Sequence, residues 1–269
     1  MTAPLLSGVD TVVLDMDGTL LDLYFDQRLW LELLPRRYAE RRALPFATAE
    51  SAVRQRLQAE RGTLAWYCME HWSREFELDV PALEGELEYL IMVRPGTEAF
   101  LTHLAGRGLR TMLATNAHPT SLARKLRCTG LGRYFDVIVS AHEFGAPKEE
   151  RAFWKRLDAR HGLEPARTLF VDDNLAVLQA AAAFGIRHVW GVRTPNSRGP
   201  EVAHEGFPAV HYLSELLSAR VRIPAQVVTG QHPMQPIFVP LHQRLCHRRP
   251  QKSAQAHSIS SCLVPATPP

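Results

Sequence analysis

The chain has 269 residues, 46% of them apolar and 22% charged, which excludes disorder throughout and is ordinary for one or two globular domains. Its formal charge of +3 is unevenly spread: residues 221–269 hold five Lys and Arg and no acid, so the remainder is slightly acidic and lacks the basic cluster that nucleic-acid binding needs. No uncharged apolar stretch of about 18 residues predicts a membrane span, and the start lacks a signal-peptide pattern, so a cytoplasmic location is expected.

The first element is the apolar run Thr11-Val12-Val13-Leu14, which reads as a buried strand and ends in Asp15-Met16-Asp17-Gly18-Thr19. Along a strand, residues i and i+2 point the same way, so Asp15 and Asp17 would repel unless a cation, a proton or a turn relieved the strain. A bound divalent cation is the natural reading. From Asp22 to Leu90 no strand is evident, and Leu29, Trp30, Leu33 and Leu34, then Leu64, Tyr67, Cys68, His71 and Trp72, recur at helical spacing. Residues 22–91 therefore read as an inserted helical subdomain, placed to act as a lid beside the acidic loop. Trp66, Tyr67 and Trp72 are assigned to the packing of that subdomain in preference to a ligand.

Strands are then predicted at Arg110–Thr115, Val137–Ser140, Thr168–Val171 and His188–Val192, alternating with helical stretches. Such stretches include Ala99, Phe100 and Leu104 before Gly106, and Leu122 and Leu126 before Gly130. The alternation predicts an α/β fold, a doubly wound parallel sheet built from residues 1–21 and 92–220, with its site at the carboxyl ends of the strands. Residues 221–269 hold eight of the 19 prolines together with Ser, Gln and His, and read as a disordered tail. Cys68, Cys128, Cys246 and Cys262 lack CxxC spacing, so free thiols are expected.

Four polar signals end apolar runs: Asp15 with Asp17, Thr115 with Asn116, Lys148, and Asp172 with Asp173. Each alone has a structural explanation, such as a turn at Thr115-Asn116 or a helix N-cap at Asp172-Asp173. Together they would place four carboxylates in one crevice. That much charge calls for a metal, and hard oxygen ligands suit Mg²⁺.

The ordered set Asp15-Met16-Asp17-Gly18-Thr19, Thr115, Lys148 and Asp172-Asp173 resembles the four motifs of the haloacid dehalogenase superfamily, over about residues 9–215. The insertion matches the position of that family's C1-type helical cap. The resemblance implies covalent catalysis, with Asp15 attacking phosphorus to form an aspartyl phosphate. Asp17 would act as general acid and then base, in a setting of burial and acidic neighbours. Thr115 and the backbone of Asn116 would hold phosphoryl oxygens, and Lys148 would offset charge and orient Asp15. The implied Mg²⁺ ligands are Asp15, the carbonyl of Asp17 and Asp173, with Asp172 inner or outer sphere. An acid at Asp17 points to phosphate esters, because a halide leaving group needs no proton.

The stretches Val12 to Asp22 with Asp26, Thr63 to Trp72, Thr115 to Pro119, Phe144 to Glu149 and Thr168 to Asp173 are further similar to bacterial GMP/IMP nucleotidases, a branch of the superfamily. This implies hydrolysis of purine nucleoside 5′-monophosphates. The alternatives are a phosphatase or mutase for a small metabolite such as a sugar phosphate or phosphoglycolate, or a non-catalytic binding protein on the same fold. The expected partner is a small phosphate ester, with no nucleic acid, no membrane and the oligomeric state open. Since all of this chemistry lies upstream of the tail, deletion of residues 221–269 is expected to leave phosphate release largely intact. Loss of activity in a truncated chain that stays folded would place part of the tail in the site.

Overall fold

A computed structural model describes residues 2–222. After β1 (Thr2–Pro4) and β2 (Thr11–Leu14), the chain leaves the sheet for α1 (Tyr24–Arg28), α2 (Leu34–Arg42), α3 (Phe46–Glu60), α4 (Met69–Phe76) and α5 (Val80–Glu86). It returns through α6 (Thr97–Gly106), β3 (Arg110–Thr115), α7 (Pro119–Thr129), β4 (Val137–Ser140), α8 (Arg151–His161), β5 (Thr168–Asp172), α9 (Leu175–Phe184), β6 (His188–Val192), β7 (Ala209–Val210) and β8 (Arg220–Arg222). The main sheet is parallel throughout in the order β4-β3-β2-β5-β6-β7, so the strand bearing the acidic pair is central.

Alternation along β2 explains why both faces of the sheet are covered. Val12 and Leu14 join Phe100, Leu101, Leu104 and Leu122 of α6 and α7 in one core, while Val13 joins Phe153, Trp154, Leu157, Val177 and Leu178 of α8 and α9 in the other. The doubly wound α/β reading of the sequence thus describes the observed sheet. Two additions lie outside it: the short parallel strand β7, and the antiparallel pairing of β1 with β8. Residues 221 and 222 belong to that pairing, so a truncation that spares it begins at residue 223; the rest of the expected tail lies outside the described residues.

The insertion has a core of its own. Phe25, Leu29, Leu34 and Tyr38 from the first helical stretch meet Val53 and Leu57 of α3 and Met69, Trp72 and Phe76 of α4, at three- and four-residue spacing except for the five-residue step from Leu29 to Leu34. Between α1 and α2, residues 29–33 form a π-helical turn in which Leu34 N–H bonds the Leu29 carbonyl. Pro35 follows directly; its missing N–H and its ring are both incompatible with an unbroken α-helical ladder there.

The insertion is seated on α7 by charge. Glu84 of α5 is 1% exposed and accepts hydrogen bonds from Ser121 Oγ and from Arg124 Nε, the latter at 3.1 Å. Arg124 also bonds Glu88 and the Pro81 carbonyl. Arg124→Ala would leave a buried carboxylate without its cation, a change worth about 3–5 kcal/mol. Urea unfolding of this variant is expected to show that loss, and Glu84→Gln in the same background to recover part of it.

Candidate active site

The site grows from the carboxyl ends of β2, β3 and β5. In the parallel register Leu14 lies beside Leu113 on one side and Val171 on the other, so the residues that follow emerge together. Asp15 N–H bonds the Val171 carbonyl at 3.0 Å, which holds the Asp15 side chain, 8% exposed, over the ends of the strands. Asp172 closes β5 with a side chain only 1% exposed.

Lys148 joins them. Its ammonium, 2% exposed, donates to Asp15 Oδ1, to Asp172 Oδ2 at 2.7 Å and to the Ala114 carbonyl at 3.0 Å. The backbone is fixed on both sides: Lys148 N–H donates to Asn116 Oδ1 at 2.8 Å, and the Lys148 carbonyl accepts from Trp154 Nε1 at 2.8 Å. Thr115 is buried at the end of β3, and its Oγ1 accepts from Ala117 N–H at 3.0 Å, which shapes the loop entering α7. Asn116 also donates to Glu149 Oε2 at 2.9 Å.

Asp173 completes the group. Donor atoms of Asp15, Asp172 and Asp173 lie within 4.8 Å of one another. Burial raises the pKa of all three carboxyl groups against the pull of Lys148; neighbouring carboxylates add to the rise, Asp172 and Asp15 acting on Asp173. The Lys148 ammonium is also shifted upward, because its two carboxylate partners outweigh the effect of its burial. Three carboxylates around one ammonium leave an excess of negative charge, and every donor is a hard oxygen. The group therefore fits Mg²⁺. Asp172 spends both oxygens, Oδ2 on Lys148 and Oδ1 on Asn174 N–H at 2.8 Å, whereas no hydrogen bond engages the Asp173 carboxylate among the described residues. Asp173 is thus the freer donor.

Asp17 has the acidic neighbours expected of it and, in addition, an ammonium of its own. Its carboxylate is within electrostatic reach of Asp15 and Asp173, but its Oδ1 accepts from Lys125 Nζ at 2.7 Å, and the same ammonium binds Asp26 Oδ1 at 2.8 Å. Lys125 went unnoticed in the sequence, where a lysine at helical spacing reads as a solvated residue. The available signal was its place three residues after Leu122, on the face of α7 that packs inward.

The helical insertion reaches the site through its 63–68 loop. Tyr67 OH donates to Glu149 Oε1 at 2.7 Å, beside Lys148, and burial together with the Glu149 charge keeps the phenol protonated. Trp72 is a core residue: it is 1% exposed, stacks on Phe76 and donates to the Trp66 carbonyl. His118 caps α7 and pairs with Glu70 of α4 at 2.7 Å.

Comparison with known proteins fits this architecture. The sequence matches the haloacid dehalogenase-like hydrolase family over residues 9–185, and the chain belongs to that family. Its members generally use Mg²⁺. The chain is 41% identical over 209 residues to the GMP/IMP nucleotidase YrfG of Escherichia coli, an alignment covering 78% of this chain and 94% of that one. It is 23% identical over 225 residues to a phosphorylated carbohydrates phosphatase of Thermotoga maritima, covering 78% and 97%. The crystal structure of a HAD phosphatase from Thermococcus onnurineus superposes with a TM-score of 0.66 at 23% identity, over 77% of this chain and 96% of that one.

Gly18 supplies a test of the site's geometry. Its φ is +83°, and a Cβ there would stand 2.6 Å from both Cγ and Oδ2 of Asp173. Gly18→Ala must therefore displace the Asp173 carboxylate. Activity is expected to fall on the order of 10²-fold, the scale of a small misplacement of a catalytic group, with the circular dichroism spectrum unchanged.

Proposed function

We propose that the protein is a Mg²⁺-dependent phosphomonoester hydrolase that acts on purine nucleoside 5′-monophosphates through an aspartyl phosphate. The observation that carries the reading is the convergence of Asp15, Lys148, Asp172 and Asp173 with the Thr115-Asn116 loop at the ends of three adjacent strands. The nucleotide substrate is supported by similarity to the E. coli GMP/IMP nucleotidase across most of both chains.

In this reading Asp15 is the nucleophile. Lys148 occupies its Oδ1, so attack on phosphorus falls to Oδ2. An Asp15 oxygen–phosphorus bond forms as the bond from phosphorus to the nucleoside oxygen breaks, and that oxygen takes a proton from Asp17. Water then attacks phosphorus and gives its proton to Asp17, while the Asp15 oxygen leaves as carboxylate. Thr115 and the Asn116 amide hold the phosphoryl oxygens through both halves. Asp15 and Asp173, with Asp172 behind them and the Asp17 carbonyl beside them, would hold the Mg²⁺, which supplies charge neutralisation for the nucleophile and the phosphoryl group. The 63–68 loop, tied to Glu149 by Tyr67, forms the side of the site where a leaving nucleoside would sit.

A panel of purine and pyrimidine nucleotides, sugar phosphates and phosphoglycolate, offered with and without Mg²⁺, tests this reading. GMP and IMP are expected to be the best substrates, turnover to stop in chelator, and Asp15→Asn to lose on the order of 10³-fold or more in kcat. Equal background release by both proteins on every substrate would refute the enzyme. Preference for a sugar phosphate would refute the nucleotide.

A further inference from the structure

We propose that Lys125 is a positioning residue for Asp17: it tethers one carboxylate oxygen so that the other is presented to the leaving alcohol. The proposal rests on the phosphomonoesterase reading above, but not on the nucleotide as substrate.

A lysine on the inward face of a helix is costly, and a methionine would fill the same space without burying charge. Lys125 is nonetheless 2% exposed, with its ammonium 5.0 Å from the Phe25 ring centroid. Its two carboxylate partners come from different parts of the chain. Asp17 lies in the loop after β2, and Asp26 lies in α1 of the insertion. The Asp17 bond engages Oδ1 alone, and among the described residues no hydrogen bond engages Oδ2. The Asp17 side chain is 19% exposed, so the free oxygen can meet a ligand.

That arrangement suits a group that must shuttle a proton without moving. With Oδ1 anchored, the carboxyl plane is fixed, and Oδ2 can give a proton to the departing oxygen and later take one from water. Asp26 is the second anchor: it holds the ammonium against the insertion, so Asp17 is oriented only while the insertion is seated. Without the lysine, Asp17 and Asp26 would face each other as like charges, and the carboxylate would turn away. Lys125 touches no reacting atom in this scheme and acts through Asp17.

A purely structural staple between α7 and α1 would give the same contacts, and leaving-group dependence separates the two. A staple affects every substrate alike, whereas a positioner of the acid matters most where the leaving oxygen is most basic. The full chain and its Lys125→Met variant are to be compared on substituted phenyl phosphates, from p-nitrophenyl to unsubstituted phenyl. The parameter is kcat/KM, which covers steps only up to departure of the alcohol. The variant is expected to lose on the order of 10²-fold on phenyl phosphate and at most about threefold on p-nitrophenyl phosphate. Equal loss along the series, or no loss, would overturn the proposal. Should Lys125→Met not fold, Lys125→Met with Asp26→Asn removes one of the stranded charges, and the same steepened dependence is expected of it. Wild-type hydrolysis of aryl phosphates without nucleotide turnover would refute the nucleotide alone. Aryl turnover retained by Asp15→Asn would refute the phosphoenzyme reading beneath both.

Discussion

Three carboxylates must share one small, buried volume at the end of the sheet, and most of the surrounding structure serves that constraint. Asp15 and Asp172 are brought together by register, because β2 and β5 are neighbouring parallel strands that end at the same level. Asp173 follows directly. Lys148 is the ammonium that makes the arrangement tolerable, and it is placed by its backbone before its side chain: Asn116 grips its N–H and Trp154 its carbonyl. A lysine fixed at both ends of its peptide delivers its charge to one point. The chain after Asp17 bends where only glycine leaves room for the Asp173 carboxylate.

A second level of organisation runs along α7. The helix begins directly after the Thr115-Asn116 loop, and its residues meet the insertion from one end almost to the other. His118 pairs with Glu70, Ser121 and Arg124 with Glu84, Lys125 with Asp26, and Arg127 with Glu88. Side chains at three- and four-residue intervals on a helix share a face. One face of α7 therefore carries the seat of the insertion, and its N-terminus carries the loop proposed to hold phosphate. Moving the insertion relative to the sheet would strain buried ion pairs on the element that shapes this loop, so seating and phosphate geometry are mechanically linked.

The sheet was legible in the sequence because buried parallel strands are short apolar runs, and each ended abruptly in a polar residue. Thr11–Leu14 and Arg110–Thr115 are strands at the stated bounds, and the strand at Thr168 extends one residue further, to Asp172. Strands β1, β7 and β8 escaped notice because two or three residues carry no periodicity. Lys125 and Glu149 carried no assigned role, and Tyr67 was assigned to packing of the insertion, for a different reason. Their importance lies in contacts 108, 82 and 33 residues apart in sequence, and a lysine, a glutamate or a tyrosine read locally is most often a solvated or packing residue. His118 caps α7 and reaches across to the insertion, two contacts with partners that its local sequence does not name.

The two aspartates of the first motif pose the sharpest physical question, since residues two apart on a strand should point together and repel. The structure separates them. The strand ends at Leu14, and Gly18, Leu20 and Leu21 turn back on Met16 and on one another through hydrogen bonds. Asp15 is left with Lys148 on the sheet side, while Asp17 goes to Lys125 on the helical side. Each carboxylate thus has its own ammonium, supplied by a different element. Lys148 also binds Asp172 and belongs to the cluster suited to a metal, whereas Lys125 also binds Asp26 and belongs to the junction with the insertion. In the proposed mechanism Asp15, as nucleophile, must keep its place beside a cation, whereas Asp17, as proton carrier, must accept and release a proton at a fixed point. Identical side chains can be assigned these different tasks only if their surroundings differ, and here the difference is built by the two lysines.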